Sequence, residues 1–158
     1  MSSKNIIIPI EELDLTDLSS ADQELVEHAK AAATDAYAPY SHFRVGAALR
    51  LNSGRIVTGS NQENAAYPSG LCAERTALFY AGAKYPEDPV AKLAVVAMRE
   101  DGKMANLAAP CGGCRQVMLE VADRFKQPFS VILAGEKSAK IISDCRDLLP
   151  INFDASSL

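Results

Sequence analysis

Two short cysteine segments, Cys72-Ala73-Glu74 and Pro110-Cys111-Gly112-Gly113-Cys114, constrain this chain more than any other feature. Each opens a stretch of helical composition. The run from Cys72 to about Ala83 reads CAERTALFYAGA, and from Cys111 to about Phe125 the apolar residues Val117, Met118, Val121 and Phe125 fall near helical spacing. A helix start carries partial positive charge and free N–H groups. That lowers a cysteine pKa and favours the thiolate, the form that binds metal. Cys111 and Cys114 are three apart, so they share a helix face and their sulfurs can meet on one ion. With Cys72 brought in from the other helix, three thiolates leave one corner of a tetrahedral zinc open. That is the catalytic pattern, because structural zinc sites close with four protein ligands. Glu74, two residues beyond Cys72, points to a divergent side of its helix. It is expected to be a proton shuttle beside the metal and not a ligand.

Taken singly, each segment has other readings. A lone C-x-x-C fits a redox pair or half of a structural zinc site. Cys72 alone fits a small core residue, and Glu74 alone a complement to the helix dipole. The combination, C-x-E followed by P-C-x-x-C, matches the signature of the zinc nucleobase deaminases. Three functions remain in play: a deaminase of free nucleosides, a deaminase of another pyrimidine-like ring or of a base in nucleic acid, and a non-enzymatic zinc domain. The last needs a fourth protein ligand, for which Cys145 is the one remaining cysteine.

The 158 residues suit one domain, with residues 1–18 read as an N-terminal arm and 19–158 as the domain proper. Ser20 with Gln23 resembles a capping box, opening a helix with Leu25, Ala29, Ala32, Ala33 and Ala36 at helical spacing and ended by Pro39. Phe43–Leu51 and Arg55–Ser60 read as a hairpin turning at Asn52-Ser53-Gly54. Leu93–Met98 and Phe129–Ala134 read as buried strands, with a short strand near Ile141 and a last helical turn before Pro150. Alternating strands and helices predict an α/β, three-layer sandwich with a mixed, mostly five-stranded sheet flanked by helices.

The net charge of −4 lacks the basic footprint of a nucleic-acid binder and favours a small substrate. No apolar run approaches the roughly 20 residues of a membrane span, and the first residues do not read as a secretory signal. A cytoplasmic location is expected, where cysteines serve metal, catalysis or packing more than disulfides. The two histidines, His28 and His42, are not expected to bind zinc.

Five stretches follow one another in order: Ala38-Pro39-Tyr40-Ser41-His42-Phe43-Arg44-Val45-Gly46-Ala47-Ala48, Asn61-Gln62-Glu63-Asn64-Ala65-Ala66-Tyr67, Cys72-Ala73-Glu74-Arg75-Thr76-Ala77, Pro110-Cys111-Gly112-Gly113-Cys114-Arg115-Gln116 and Leu148-Leu149-Pro150. Together they closely resemble the small, homotetrameric class of cytidine deaminases, from about Ser20 to Phe153. The resemblance implies one Zn2+ per subunit and deamination of cytidine and deoxycytidine in pyrimidine salvage, with Glu74 catalytic. It implies that Asn61 and Glu63 bind the ribose hydroxyls, that Phe43 packs on the pyrimidine, and that Ala65 offers its carbonyl to the amine. It also implies that the backbone of Ala73 and Cys72 holds the base, that Phe153 reaches a neighbouring subunit's site, and that Arg75 and Arg115 aim donors at the sulfurs. Three thiolates on a divalent ion sum to −1, and such donors withdraw part of that charge. Gly113 departs from the alanine usual in the family, and Ser60 from a frequent cysteine.

Overall fold

The structure, a computed structural model, describes residues 3–158. Six strands form one sheet: β1 (Glu11–Asp14), β2 (Arg44–Leu51), β3 (Ile56–Ser60), β4 (Val90–Met98), β5 (Ser130–Ala134) and β6 (Ser138–Ile142). Three helices flank it: α1 (Ser20–Thr34), α2 (Ala73–Lys84) and α3 (Gly112–Phe125). The sheet order is β1-β6-β5-β4-β2-β3. Only β4 and β5 run parallel, joined through α3 as a crossover requires. All other neighbours pair antiparallel.

Strand alternation sorts the core into two layers. Ala47, Leu49, Leu93, Val95, Val131 and Leu133 face α2 and α3, meeting Ala77, Leu78, Met118 and Ala122. Ala48, Ala94, Val96, Ile132 and Ala134 point the other way, onto Leu25, Val26 and Ala29 of α1. The central strands therefore read as unbroken apolar runs, since both of their faces are covered. This is the expected three-layer sandwich with a mixed sheet.

The sheet has six strands where five were expected. The sixth comes from the stretch read as an arm: Glu11 to Asp14 pair with Ile141 to Ser138 of β6. Its pattern, Glu-Glu-Leu-Asp, carries one apolar residue, and only Leu13 is half-buried. An edge strand so lightly packed leaves almost no periodic signal. Leu18, also placed in the arm, is buried under α1.

Two helix boundaries differ as well. The N-cap of α1 is Ser19, whose Oγ accepts from the Asp22 N–H at 3.1 Å. Gln23 donates instead to the carbonyls of Leu18 and Thr16, so the cap lies one residue earlier and the box is not reciprocal. The helix stops at Thr34, well before Pro39, because the Asp35 N–H turns back onto Ala32 and Ala33 and Tyr37 pairs with Asn61. The hairpin turn is as read: Gly54, at φ +85°, donates to the Leu51 carbonyl.

Close contact between α2 and β3 sets the position of the helix start. A Cβ on Gly59 would stand 2.6 Å from the Ala77 nitrogen and 2.8 Å from the Ala73 oxygen. Gly59→Ala is therefore expected to overpack this contact and destabilise the fold by about 1–3 kcal/mol. Denaturant midpoints of the two proteins measure it; an unchanged midpoint would contradict the tight packing.

Candidate metal centre and active site

Cys72 and Cys111 occupy the N-cap positions of α2 and α3, yet neither side chain caps its own helix. Both sulfurs are turned toward each other across the gap between the helix starts. Cys114 joins them one turn into α3. The Sγ atoms of Cys72, Cys111 and Cys114 all lie within 4.8 Å of one another, with Cys72–Cys111 at 3.7 Å and Cys111–Cys114 at 3.5 Å. Zinc–sulfur bonds of about 2.3 Å place tetrahedral ligands about 3.8 Å apart, so the spacing fits such an ion. All four cysteines are free.

Charge is arranged to favour thiolate at this point. Hydrogen bonding from the Cys114 thiol and from the Arg75 guanidinium holds the Cys72 thiol down to about 5, against the opposing effect of burial. Cys114 is pushed up, chiefly because its proton is shared with Cys72 and because it is buried. Arg75 Nη2 lies 3.6 Å from the Cys72 sulfur. Its Nε–H is buried without an acceptor among the described residues. A cluster of three thiolates around a divalent ion carries net negative charge, which suits this guanidinium.

Glu74 is 4% exposed, on the first turn of α2 beside the thiols. Burial raises its pKa, and the neighbouring Cys72 charge adds to the rise; hydrogen bonds from its own backbone N–H and from the Cys114 thiol act oppositely. A carboxyl so placed holds a proton more readily than an exposed one, as an acid–base group must. It is not part of the three-sulfur cluster. Cys145 is not either. Its buried thiol lies 3.8 Å from the Met118 carbonyl in the core, so the non-enzymatic reading lacks its fourth cysteine.

A cleft of about 550 Å³ reaches the thiols through Cys72 and Arg75, and its wall includes Tyr40, Ser41, Asn61, Gln62, Glu63 and Tyr67. That volume suits a small molecule. Asn61 and Glu63 share the cleft wall, and both side chains also work within the fold. Asn61 Oδ1 accepts from Val45 N–H at 2.7 Å and its Nδ2 donates to the Phe43 carbonyl at 3.0 Å. Glu63 accepts from the backbone of Tyr40 and Ser41 and from the Ser41 hydroxyl, which together hold its carboxyl below the ordinary range.

The remaining expected residues are more scattered. Ala73 is fully buried at the start of α2. Phe43, Ala65 and Phe153 are exposed and stand outside the cleft wall. Phe153 is tethered by its carbonyl to Gln116 on α3. Arg115, expected to aim donors at the sulfurs, makes no hydrogen bond to them among the described residues. Its Nε donates to the Pro110 carbonyl at 2.8 Å and its Nη1 to that of Leu148 at 3.0 Å, so it braces the segment that enters Cys111. Ser41 was missed, its only signal being a small hydroxyl in a Pro-Tyr-Ser loop.

Paired helix starts presenting three thiols, with a buried carboxyl at the same spot on a three-layer sheet, define a class: the zinc-dependent hydrolytic deaminases. Comparison with known proteins narrows it. Residues 19–126 match the cytidine and deoxycytidylate deaminase zinc-binding region. A cytidine deaminase of Halalkalibacterium halodurans is 42% identical over 86% of this chain and 96% of its own. One from Sporosarcina psychrophila is 36% identical over 86% and 93%. The crystal structure of cytidine deaminase from Burkholderia pseudomallei superposes with a TM-score of 0.70 at 44% identity, covering 83% of this chain and 98% of that one. The chain belongs to the cytidine deaminase family and is a zinc-binding hydrolase. Among the described residues, no helix is long and apolar enough to cross a membrane.

Gly113 lies between the two thiols of α3. A Cβ there would meet Cys111 Sγ at 3.9 Å and Arg75 Cζ at 4.0 Å, ordinary contact distances. Gly113→Ala is expected to stabilise the protein by about 0.4–1 kcal/mol and leave its zinc content unchanged. Thermal melts with metal analysis check both; lower stability would mean the space is not free.

Proposed function

We propose that this enzyme hydrolyses the 4-amino group of free cytidine and 2′-deoxycytidine, giving uridine or 2′-deoxyuridine and ammonia, and that it serves pyrimidine salvage in the cytoplasm. The observation that carries the reading is the meeting of three thiols and one buried carboxyl at two facing helix starts. Cys72, Cys111 and Cys114 would hold the zinc. Zinc bound there supplies Lewis acidity, lowering the pKa of a coordinated water toward about 7.

Glu74 does the proton work. It takes a proton from the attacking water as oxygen adds to C4 of the ring and passes it to N3, then takes the second proton from the new C4 hydroxyl and delivers it to the departing amine. The C4–N bond breaks and ammonia leaves. Burial of Glu74 supports its carrying a proton between these atoms. The backbone of Ala73 and Cys72 holds the base, with Phe43 against its face and the Ala65 carbonyl toward its amine. Asn61 and Glu63 take the sugar hydroxyls, which both donate and accept. Arg75 offsets the charge of the thiolates, and Phe153 belongs to a neighbouring subunit's site. A free nucleoside is favoured over a polymer by the net charge of −4 and by this pair of hydroxyl partners.

Glu74→Ala is expected to keep zinc and lose turnover by about 100-fold to 10,000-fold, whereas Cys111→Ala loses the zinc itself. Metal analysis with a cytidine assay by ultraviolet absorbance tests both. Substantial activity in the first, or full zinc in the second, would remove that residue from its role.

The enzyme assembles as a homotetramer in this reading. Tyr67, Phe79, Tyr80, Ile151 and Phe153 are large and exposed on the single chain, as an apolar subunit contact needs. Sedimentation is expected to give about four times the 16.9 kDa chain mass; a monomer alone at working concentration would count against it.

A further inference from the structure

Glu63 is the carboxylate that holds the loop entering β2 among the described residues, and Ser41 connects the two. Glu63 accepts from the Tyr40 N–H at 2.9 Å and the Ser41 N–H at 3.3 Å on one oxygen, and from the Ser41 hydroxyl on the other. The same hydroxyl accepts from the Phe43 N–H at 3.1 Å. Between Ser41 and Phe43 stands His42 at φ +55°, a left-handed conformation that a non-glycine residue adopts at a cost. The His42 N–H closes back on the Ala38 carbonyl at 3.1 Å. The Ser41 hydroxyl thus spans the strained residue, joining the carboxylate on one side to the Phe43 backbone on the other.

We infer that Ser41 is a positioning residue for nucleoside binding, its hydroxyl fixing both the Glu63 carboxylate and the Phe43 backbone in one geometry. This rests on the reading of Glu63 and Phe43 as sugar and base partners. The carboxylate oxygens have about four acceptor positions between them. Three are taken by the loop, so the remaining lone pair is aimed by the loop's own hydrogen bonds. Without the hydroxyl the carboxylate is free to rotate about its last torsion, and the backbone at His42 loses the acceptor that steadies its left-handed turn. Ser41 touches no reacting atom in this scheme. Its loss weakens binding and leaves the proton chemistry at Glu74 in place.

The test compares wild type, Ser41→Ala and Ser41→Thr with cytidine and with 2′,3′-dideoxycytidine, which lacks both sugar hydroxyls of the ring. Ser41→Ala is expected to raise KM for cytidine about tenfold with kcat within about twofold. Ser41→Thr, which keeps the hydroxyl, restores KM. The KM penalty is smaller on the dideoxy substrate, where Glu63 has no hydroxyl to meet. An unchanged KM in Ser41→Ala, an equal penalty on both substrates, or a fall in kcat alone overturns the inference while wild-type turnover of cytidine stands. Wild type inactive on cytidine, with zinc bound, overturns the proposed function and this inference with it. If Ser41→Ala fails to fold, a wild-type KM in Ser41→Thr supports the hydroxyl, and a raised one contradicts it.

Discussion

The convergence of two helix starts on one point is the constraint on which the rest of this molecule depends. Cys72 and Cys111 lie 39 residues apart in the chain, yet their sulfurs are in contact. Two positive helix ends do not gather without something negative between them. Thiolates meet that need and at the same time form a donor set for zinc. The sheet supplies the mechanical side. α2 lies so close on β3 that only glycine fits at position 59, and α3 crosses over the parallel pair β4 and β5, so both helices start at the same end of one face.

Much of this was legible in the chain because each signal was local. The helix starts could be read from a cysteine followed by helix-forming residues, and the central strands from apolar runs covered on both sides. What failed depended on partners distant in sequence. β1 carries one half-buried leucine among acids, and its strand character comes from β6, more than a hundred residues away. Arg115 stands next to a thiol in sequence, but a long side chain goes where acceptors are, and the Pro110 and Leu148 carbonyls are half-buried ones within reach. Ser41 matters through the backbone turn at His42, which composition does not disclose.

The cleft shows an economy common at binding sites, where groups facing a ligand are fixed by the fold behind them. Arg75, Asn61 and Glu63 each make contacts within the protein before any ligand arrives. Such groups lose little freedom on binding, so less of the interaction energy goes into ordering them. The side chains of Phe43, Ala65 and Phe153 lie exposed on the single chain, although hydrogen bonds hold the backbone of Phe43 and Phe153. That contrast divides the site into a part complete in the single chain and a part open to its surroundings.

Asn61 illustrates what this dual employment means for interpreting variants. Its amide replaces two backbone groups at the exit of β3, accepting from Val45 and donating to Phe43 like an extra rung between strands. Any replacement lacking that amide unzips the sheet margin at the moment it alters the ligand surface. Inactivity in such a protein is ambiguous by construction, and only an isosteric donor and acceptor pair at that place separates architecture from recognition.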